Sequence, residues 1–177
     1  MTTTQNTLTY RKATYADAPT LSAIGVATFL ESYIEDIPGA DLIKHCHGQH
    51  STNVYEQYLK GDDPRYACWI ASFAATDAPV GYALTCPPDL PIVTDARDIE
   101  LKRIYVFSRF HGSGAGKQLH ALAEDYARTL KCKRLLLGTY EENVRAIAFY
   151  RREGYTKVGE RQFQVGDQVF DDIIMGK

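Results

Sequence analysis

The stretch Val106-Phe-Ser-Arg-Phe-His-Gly-Ser-Gly-Ala-Gly-Lys117 decides the fold of this 177-residue chain. An apolar, β-branched run over residues 99–107 leads into it, and a helical pattern of apolar residues over 114–131 follows it. The stretch is therefore predicted to be a turn between a buried strand and a helix. Its alternating glycines let several backbone N–H groups converge on one point, where the helix N-terminus adds partial positive charge. We interpret the turn as a phosphate-binding loop.

Two common phosphate-binding patterns do not fit this turn. A P-loop, G-x-x-x-x-G-K-[ST], needs a glycine where His111 stands and a hydroxyl residue where Gln118 follows Lys117. The dinucleotide-binding pattern G-x-G-x-x-G also fails, because counting from Gly112 places Lys117 at its last glycine. A nucleotide-binding module of either type is therefore the weaker interpretation.

The rest of the chain is predicted to alternate strands and helices around one sheet. Thr14 and Asp17 form a capping-box pattern that opens the first helix, and Pro38-Gly39 ends it. Gly166-Asp167 is typical of the turn of a β-hairpin. The order predicts an α/β domain whose mixed central sheet of six to seven strands is flanked by four helices. The predicted strands are 8–13, 66–73, 80–85, 99–107, 134–139, 155–163 and 169–175, and the predicted helices are 14–37, 41–59, 114–131 and 143–153.

Composition is that of an ordinary globular protein, with 45% apolar residues, 24% charged residues and a formal net charge of −2. A chain of this charge has no general attraction to nucleic acid or to an anionic membrane, so neither is expected as a partner. The polar start MTTTQNTLTY lacks the pattern of a signal peptide, and no apolar run is long enough to span a membrane. A cytoplasmic protein is predicted, with a flexible N-terminus over 1–7, one domain over 8–177, and four reduced cysteines.

The turn resembles the pyrophosphate-binding turn of the GNAT acetyltransferases, Q/R-x-x-G-x-G/A, which reads here as His111-Gly-Ser-Gly-Ala-Gly116. His111 departs from the usual Gln or Arg, but main-chain donors do most of this binding. The resemblance extends from about Ala13 to the C-terminus. The segments LKRIYV, FHGSGAGKQL and ENVRAIAFYRREGY are most similar to bacterial spermine/spermidine N-acetyltransferases. The resemblance implies a single-domain GNAT fold, acetyl-CoA as co-substrate, no metal, and a small-molecule amine as acceptor.

The resemblance also implies which residues hold acetyl-CoA. In the family the strand over 99–107 splays from the next one, so its free backbone groups pair with the pantetheine amides, and the Val106 N–H region is the expected oxyanion donor. Lys117 ranks before Arg109, Arg151 and Arg152 for the phosphates, because it directly follows the glycine turn. The predicted cofactor-binding residues are Ile104, Tyr105, Val106, His111, Gly112, Ser113, Gly114, Ala115, Gly116, Lys117, Asn143 and Tyr150.

Two residues are predicted to transfer protons. Asn143 and Tyr150 share a helix face, because seven residues make two turns with an offset of about 20°. In the family the matching Asn contacts the pantetheine arm and the matching Tyr points at the thioester sulfur, so Tyr150 is the predicted general acid. Glu100 matches the base of the histone-type enzymes and is the predicted base, directly or through water. The alternatives are a core tyrosine, and a strand-end carboxylate paired with Lys102 or Arg103.

The acceptor is predicted from charge and from the resemblance. Glu31 and Glu35 are one helical turn apart, with Asp36 adjacent. In GNAT folds the first two helices line the acceptor side, so these glutamates are expected to bind a polyamine such as spermidine or spermine. The alternatives are glutamates that face solvent, an amino acid, aminoglycoside or protein amine as acceptor, and a non-catalytic acetyl-CoA-binding protein. The oligomeric state is open, with a homodimer among the arrangements.

His45, Cys46, His47 and His50 crowd one segment of the second predicted helix. Their spacing matches no standard zinc site, and the transfer of an acetyl group from a thioester needs no metal. We therefore interpret them as part of a surface helix or of a helix that borders the substrate cleft.

Overall fold

The computed structural model describes residues 7–177, so most of the predicted flexible segment, residues 1–6, lies outside the described residues. Within this range no helix combines the length and the apolar character that a membrane span requires. All four cysteines are free thiols, as predicted. The elements are β1 (Leu8–Lys12), α1 (Ala18–Tyr33), α2 (Gly39–Gln49), α3 (Thr52–Lys60), β2 (Ala67–Phe73), β3 (Ala78–Cys86), β4 (Ile99–Val106), α4 (Ala115–Thr129), β5 (Leu135–Tyr140), α5 (Val144–Arg152), β6 (Thr156–Val165) and β7 (Gln168–Gly176).

The predicted α/β class is confirmed, but the second helical segment differs from the prediction. The single helix predicted over 41–59 is divided into α2 and α3. Ser51 at the division has extended backbone angles of φ −66° and ψ 154°. The division turns His50 into the core, where its Nδ1 lies 2.9 Å from the Tyr55 hydroxyl, which donates in turn to Tyr82. This buried contact explains why the helix is interrupted here, and the sequence pattern alone does not reveal it.

All seven strands form one mixed sheet in the order β1-β2-β3-β4-β5-β7-β6. Neighbouring strands are antiparallel except for β4 and β5, which are parallel. These two strands pair only where Ile99 faces Leu135 and Glu100 faces Leu136. Beyond this point they separate, as the resemblance led us to expect, and they leave a gap at the centre of the sheet.

The two faces of the sheet carry different helices. In β2, Ala67 and Trp69 belong to the core that α4 and α5 cover, whereas Cys68 and Ile70 belong to the core that α1 and α3 cover. This alternation is what a strand buried on both faces requires. In β4 the alternation changes at an irregularity in register, where Thr85 pairs with Leu101 but Leu84 pairs with Arg103.

The extra residue is Lys102, which makes β4 a bulged strand. Because of the bulge, Leu101 packs in the core below α4, while Tyr105 packs against the core below α1 and α3. The bulge lies next to the point at which β4 and β5 separate. It therefore turns Arg103 and Tyr105 toward the face on which α1 and α3 lie.

Leu119→Ala is expected to lower the free energy of unfolding by about 2–5 kcal/mol, because it leaves a cavity between α4 and the sheet. Leu119 is fully buried in the core that contains Trp69 and Leu101. Chemical denaturation followed by circular dichroism measures the change. Leu122→Ala, at a half-buried position of the same helix, is the control and should cost clearly less. Equal losses for both variants would contradict this account of how α4 docks.

Candidate active site

A cleft of about 380 Å³ opens where β4 and β5 separate. Residues of α1, α2, β4, β5, α5, β6 and β7 line it. Five of the predicted site residues line this cleft, namely Glu100, Ile104, Tyr105, Asn143 and Tyr150. The structure thus brings together residues from β4 and α5 that are up to fifty positions apart in the chain.

The ladder between β3 and β4 decides which backbone groups of β4 face the gap. Phe107 N–H donates to the Val80 carbonyl at 2.9 Å, and this pair continues the register in which Val106 faces Gly81. Hydrogen-bonded pairs alternate along an antiparallel ladder, so Tyr105 bonds to β3 while Ile104 and Val106 point the other way. Of the three predicted backbone positions, two therefore face the gap. Tyr105 lines the cleft with its side chain instead.

His111 links the end of β4 to α5. Its Nε2 lies 2.9 Å from the Val106 carbonyl, and its Nδ1 lies 3.1 Å from an Arg145 nitrogen. Because the carbonyl only accepts and the guanidinium only donates, this pattern requires the proton on Nε2. His111 was predicted as a cofactor-binding residue of the turn, and that role stays a prediction. Its contact occupies the Val106 carbonyl and leaves the Val106 N–H as the group that faces the gap.

The glycine turn has the geometry of an anion cradle. Gly112 and Gly114 have φ of +81° and +88°, values that favour glycine, and Gly114 is the N-cap of α4. Nothing lies within 4 Å of a Cβ built on Gly112, Gly114 or Gly116, so the space beyond them is open. The first helical hydrogen bond runs from Gln118 N–H to the Gly114 carbonyl, and Ala115 N–H donates to the Ser113 hydroxyl at 3.3 Å. The N–H groups of Gly116 and Lys117 are left without a partner within residues 7–177. These groups fit a pyrophosphate.

Tyr150 reaches the cleft from the buried face of α5. Its ring packs against Phe149, Tyr155 and His120, and only 7% of the residue is exposed. Burial, with a smaller contribution from Tyr105, raises the pKa of the phenol well above its ordinary value. The phenol is therefore protonated at neutral pH and makes no hydrogen bond within the described residues. Asn143, at the N-terminus of the helix, accepts a capping bond from Ala146 N–H at 3.1 Å.

Glu100 is 1% exposed and lines the cleft next to the bulge. Its carboxylate accepts a hydrogen bond from Asp89 N–H at 2.8 Å and lies 4.0 Å from Lys102 Nζ. Lys102 also lies 3.7 Å from Asp89, so it sits between two carboxylates. The pairing with Lys102 was the alternative interpretation of Glu100, and it is present. The role of Glu100 as a base stays a prediction.

The two glutamates predicted to bind the acceptor do not line the cleft. Glu31 accepts hydrogen bonds from the N–H and the hydroxyl of Ser108, both at 2.8 Å, and so connects α1 to the turn that follows β4. Glu35 is exposed and follows the last residue of α1, which ends at Tyr33. The expectation that Glu35 continues the helix one turn after Glu31 is therefore corrected.

Several residues of the cleft were not predicted. Arg103 lies on its floor, and Arg161 donates to Asp172 at 2.9 Å beside β5. Gly138 makes room for Arg161, because a Cβ at this position would meet the guanidinium at 2.7 Å. This lone glycine in an apolar strand was the available sequence signal.

The histidine-rich segment separates in space. His45 and His50 line the cleft, and His47 is exposed. Cys46 is buried in a core cluster that also contains Phe29 and Leu42. The interpretation of the segment as part of a helix bordering the cleft is thus confirmed for His45. His50 follows that helix as its C-terminal cap residue.

Comparisons with known proteins agree with this geometry. The acetyltransferase (GNAT) family model matches residues 29–155. An uncharacterised N-acetyltransferase of Lactobacillus delbrueckii subsp. lactis is 28% identical over 162 residues, which is 91% of each chain. The spermine/spermidine N(1)-acetyltransferase of Bacillus subtilis is 40% identical over 70 residues, which cover 39% of this chain and 45% of that enzyme. The solved structure of the PaiA N-acetyltransferase of Thermoplasma acidophilum in complex with coenzyme A has a TM-score of 0.74 at 18% identity, and the match covers 97% of this chain and 98% of that one.

Gly116→Glu is expected to abolish binding of coenzyme A, because the carboxylate would enter the open space of the cradle and repel the pyrophosphate. Gly116 has no positive φ and no close neighbour, so the variant should fold normally. Isothermal titration calorimetry with coenzyme A measures the loss. Gly48→Glu is the control, since Gly48 is an exposed helical glycine with nothing within 4 Å of its Cβ position. Unchanged affinity in Gly116→Glu would show that the cradle is misplaced.

Proposed function

Since the chain belongs to the acetyltransferase (GNAT) family and is an N-acetyltransferase, we propose that it transfers the acetyl group of acetyl-CoA to a primary amine of a small polyamine such as spermidine or spermine. The observation that carries the proposal is the gap between β4 and β5, with unpaired backbone groups of β4 on one side and the Tyr150 phenol on the other. The open glycine cradle at the start of α4 supports it.

Acetyl-CoA supplies an acetyl thioester, the activated group that the reaction needs. The N–H groups of the glycine turn would hold its pyrophosphate, with Lys117 adjacent in the first turn of α4. Ile104 and Val106 would offer backbone groups to its pantetheine amides, as a neighbouring strand would. Asn143 also lines the cleft. No metal is required by this arrangement of donors.

The proton transfers follow from the positions of two side chains. The acceptor amine must lose a proton, and Glu100, a buried carboxylate in the cleft, would take it directly or through water. The leaving sulfur must gain a proton, and the protonated Tyr150 would supply it. The Val106 N–H would donate to the carbonyl oxygen as negative charge develops on it. Each proton thus has a named donor and acceptor.

Charge and aromatic rings support a cationic acceptor. Tyr140 lines the cleft, and burial together with the nearby Glu142, Asp36 and Glu141 raises the pKa of its phenol, so three carboxylates lie close to this part of the rim. The cleft is also lined by aromatic rings that can contact ammonium groups through their faces, including those of Phe29, Tyr33 and Phe163. A second acceptor class, amines that also carry a carboxylate, is favoured by Arg103, whose Nη1 has no hydrogen-bond partner in the described residues.

Tyr150→Phe is expected to lower kcat by about 100-fold and to leave the affinity for acetyl-CoA within a few fold, because it removes the acid but keeps the ring. Thiol release under single-turnover conditions measures the chemical step. Tyr155→Phe is the control. It removes a neighbouring buried hydroxyl that bonds His120 at 2.9 Å and does not line the cleft, so kcat should hold. An unchanged chemical rate in Tyr150→Phe would remove this residue from the mechanism.

Replacing Glu31 and Glu35 together with Gln is expected to raise KM for spermine about two- to ten-fold and to change KM for a monoamine less, because two exposed charges are lost. Raised salt should act in the same direction. Steady-state kinetics with both amines measures the difference. Glu35→Gln alone separates the charge effect from the contact that Glu31 makes with Ser108. Good turnover of a neutral or anionic acceptor without turnover of any polyamine would overturn the polyamine proposal and leave the N-acetyltransferase standing.

A further inference from the structure

Arg103 is a buried cation on the floor of the cleft without an anionic partner. The residue is 8% exposed, and within residues 7–177 no carboxylate comes within salt-bridge distance of it. Its Nη2 donates to the Gln49 carbonyl at 2.8 Å. Its Nη1 is fully buried and has no hydrogen-bond partner in the described part of the chain. It is the one side-chain nitrogen or oxygen there that is buried and unpaired.

The neighbours of Arg103 do not cancel its charge. Its guanidinium lies over the rings of Tyr55 and Tyr58, with centroids at 5.3 and 5.6 Å. Burial and then Arg103 lower the pKa of His50 to about 3, and the same causes lower the pKa of His45. Both imidazoles are therefore biased toward the neutral form. The groups around the guanidinium are thus neutral rings and one carbonyl.

An unpaired guanidinium in such a place is costly. Burying a charge removes it from water, and proteins recover that cost by pairing it with an opposite charge and satisfying its hydrogen bonds. Here no carboxylate pairs with the guanidinium and its Nη1 has no hydrogen-bond partner in the described residues, although Arg103 lines an open cleft. The planar fork of an arginine fits a carboxylate, which can accept two parallel hydrogen bonds from it.

We propose that Arg103 is an anion subsite of the acceptor cleft and binds the carboxylate of a second class of acceptor, which carries this group in addition to its primary amine. This inference rests on the proposed N-acetyltransferase function and concerns the class of acceptor. Arg103 and Tyr105 are two residues apart on the same face of β4, which places them about 7 Å apart along the strand. Between them stands Ile104, whose backbone groups face the gap. A carboxylate on Arg103 would therefore lie beside the reaction site.

The second acceptor class that follows, beside the polyamines, is a free amino acid or short peptide with a reactive primary amine. A diamino acid can make both charge contacts in the cleft. Its carboxylate would pair with Arg103, and its second ammonium group would pair with the carboxylates near Tyr140. A polyamine can contact the carboxylates near Tyr140, but it has no carboxylate that could pair with Arg103. Two matched pairs of compounds differ only in the carboxylate. They are lysine with cadaverine, and ornithine with putrescine.

The experiment compares kcat/KM for both pairs in the wild-type protein, in Arg103→Met and in Arg97→Met. The wild type is expected to prefer each amino acid, and Arg103→Met is expected to lower kcat/KM for the amino acids by about 30-fold or more while changing the diamines little. Arg97→Met is the matched control, since Arg97 is an exposed arginine next to Asp95. A wild type that prefers the diamines, or equal losses for both members of each pair, would overturn the inference and leave the acetyltransferase intact.

A binding measurement separates this inference from the proposed function. Calorimetric titration of lysine and of cadaverine into the protein saturated with coenzyme A needs no turnover, so it tests Arg103 even if no amine in the panel is acetylated. Tighter binding of lysine in the wild type, lost in Arg103→Met, supports the subsite. Equal binding of the two compounds, or binding of neither, contradicts it. If circular dichroism shows that Arg103→Met does not fold, the wild-type preference and the variant Arg103→Lys decide. Lysine keeps the positive charge but cannot donate the two parallel hydrogen bonds of a guanidinium.

Discussion

The separation of β4 from β5 after Glu100 is the constraint on which the rest of the site depends. Backbone N–H and C=O groups inside a protein need partners, and parallel strands that part leave theirs unpaired. In β4 these groups belong to Ile104 and Val106, and His111 occupies one of them. The remaining backbone groups can form the hydrogen bonds that a neighbouring strand would otherwise form. An extended ligand with amide groups can therefore complete the sheet without any rearrangement of the core.

The bulge at Lys102 adds a second consequence to this separation. In a regular strand Arg103 would follow Leu101 onto the face that α4 and α5 cover. The extra residue turns Arg103 and Tyr105 to the face of α1 and α3. This local change in register lies next to the point where β4 and β5 separate, and it selects which side chains of β4 border the opening.

Charge in the cleft is distributed unevenly. Two of its cations have partners, since Lys102 lies between Glu100 and Asp89, and Arg161 bonds to Asp172. The third cation, on the floor, has none. Carboxylates lie near Tyr140, which also lines the cleft, so groups of both charge signs border it. Such a cleft can orient a small molecule that carries both signs of charge.

Local spacing determined much of this protein from the sequence alone. The glycine turn at 112–116, the shared face of Asn143 and Tyr150, and the position of Glu100 in the cleft depend on residues within one element or on the turn beside it, so their pattern is legible in the chain. Tertiary structure decided the rest. Glu31 bonds to Ser108 across 77 positions, and Arg103 depends on a bulge in a strand whose sequence reads as regular. Contacts between residues so far apart in the chain arise from tertiary packing, which produces no periodic pattern in the sequence.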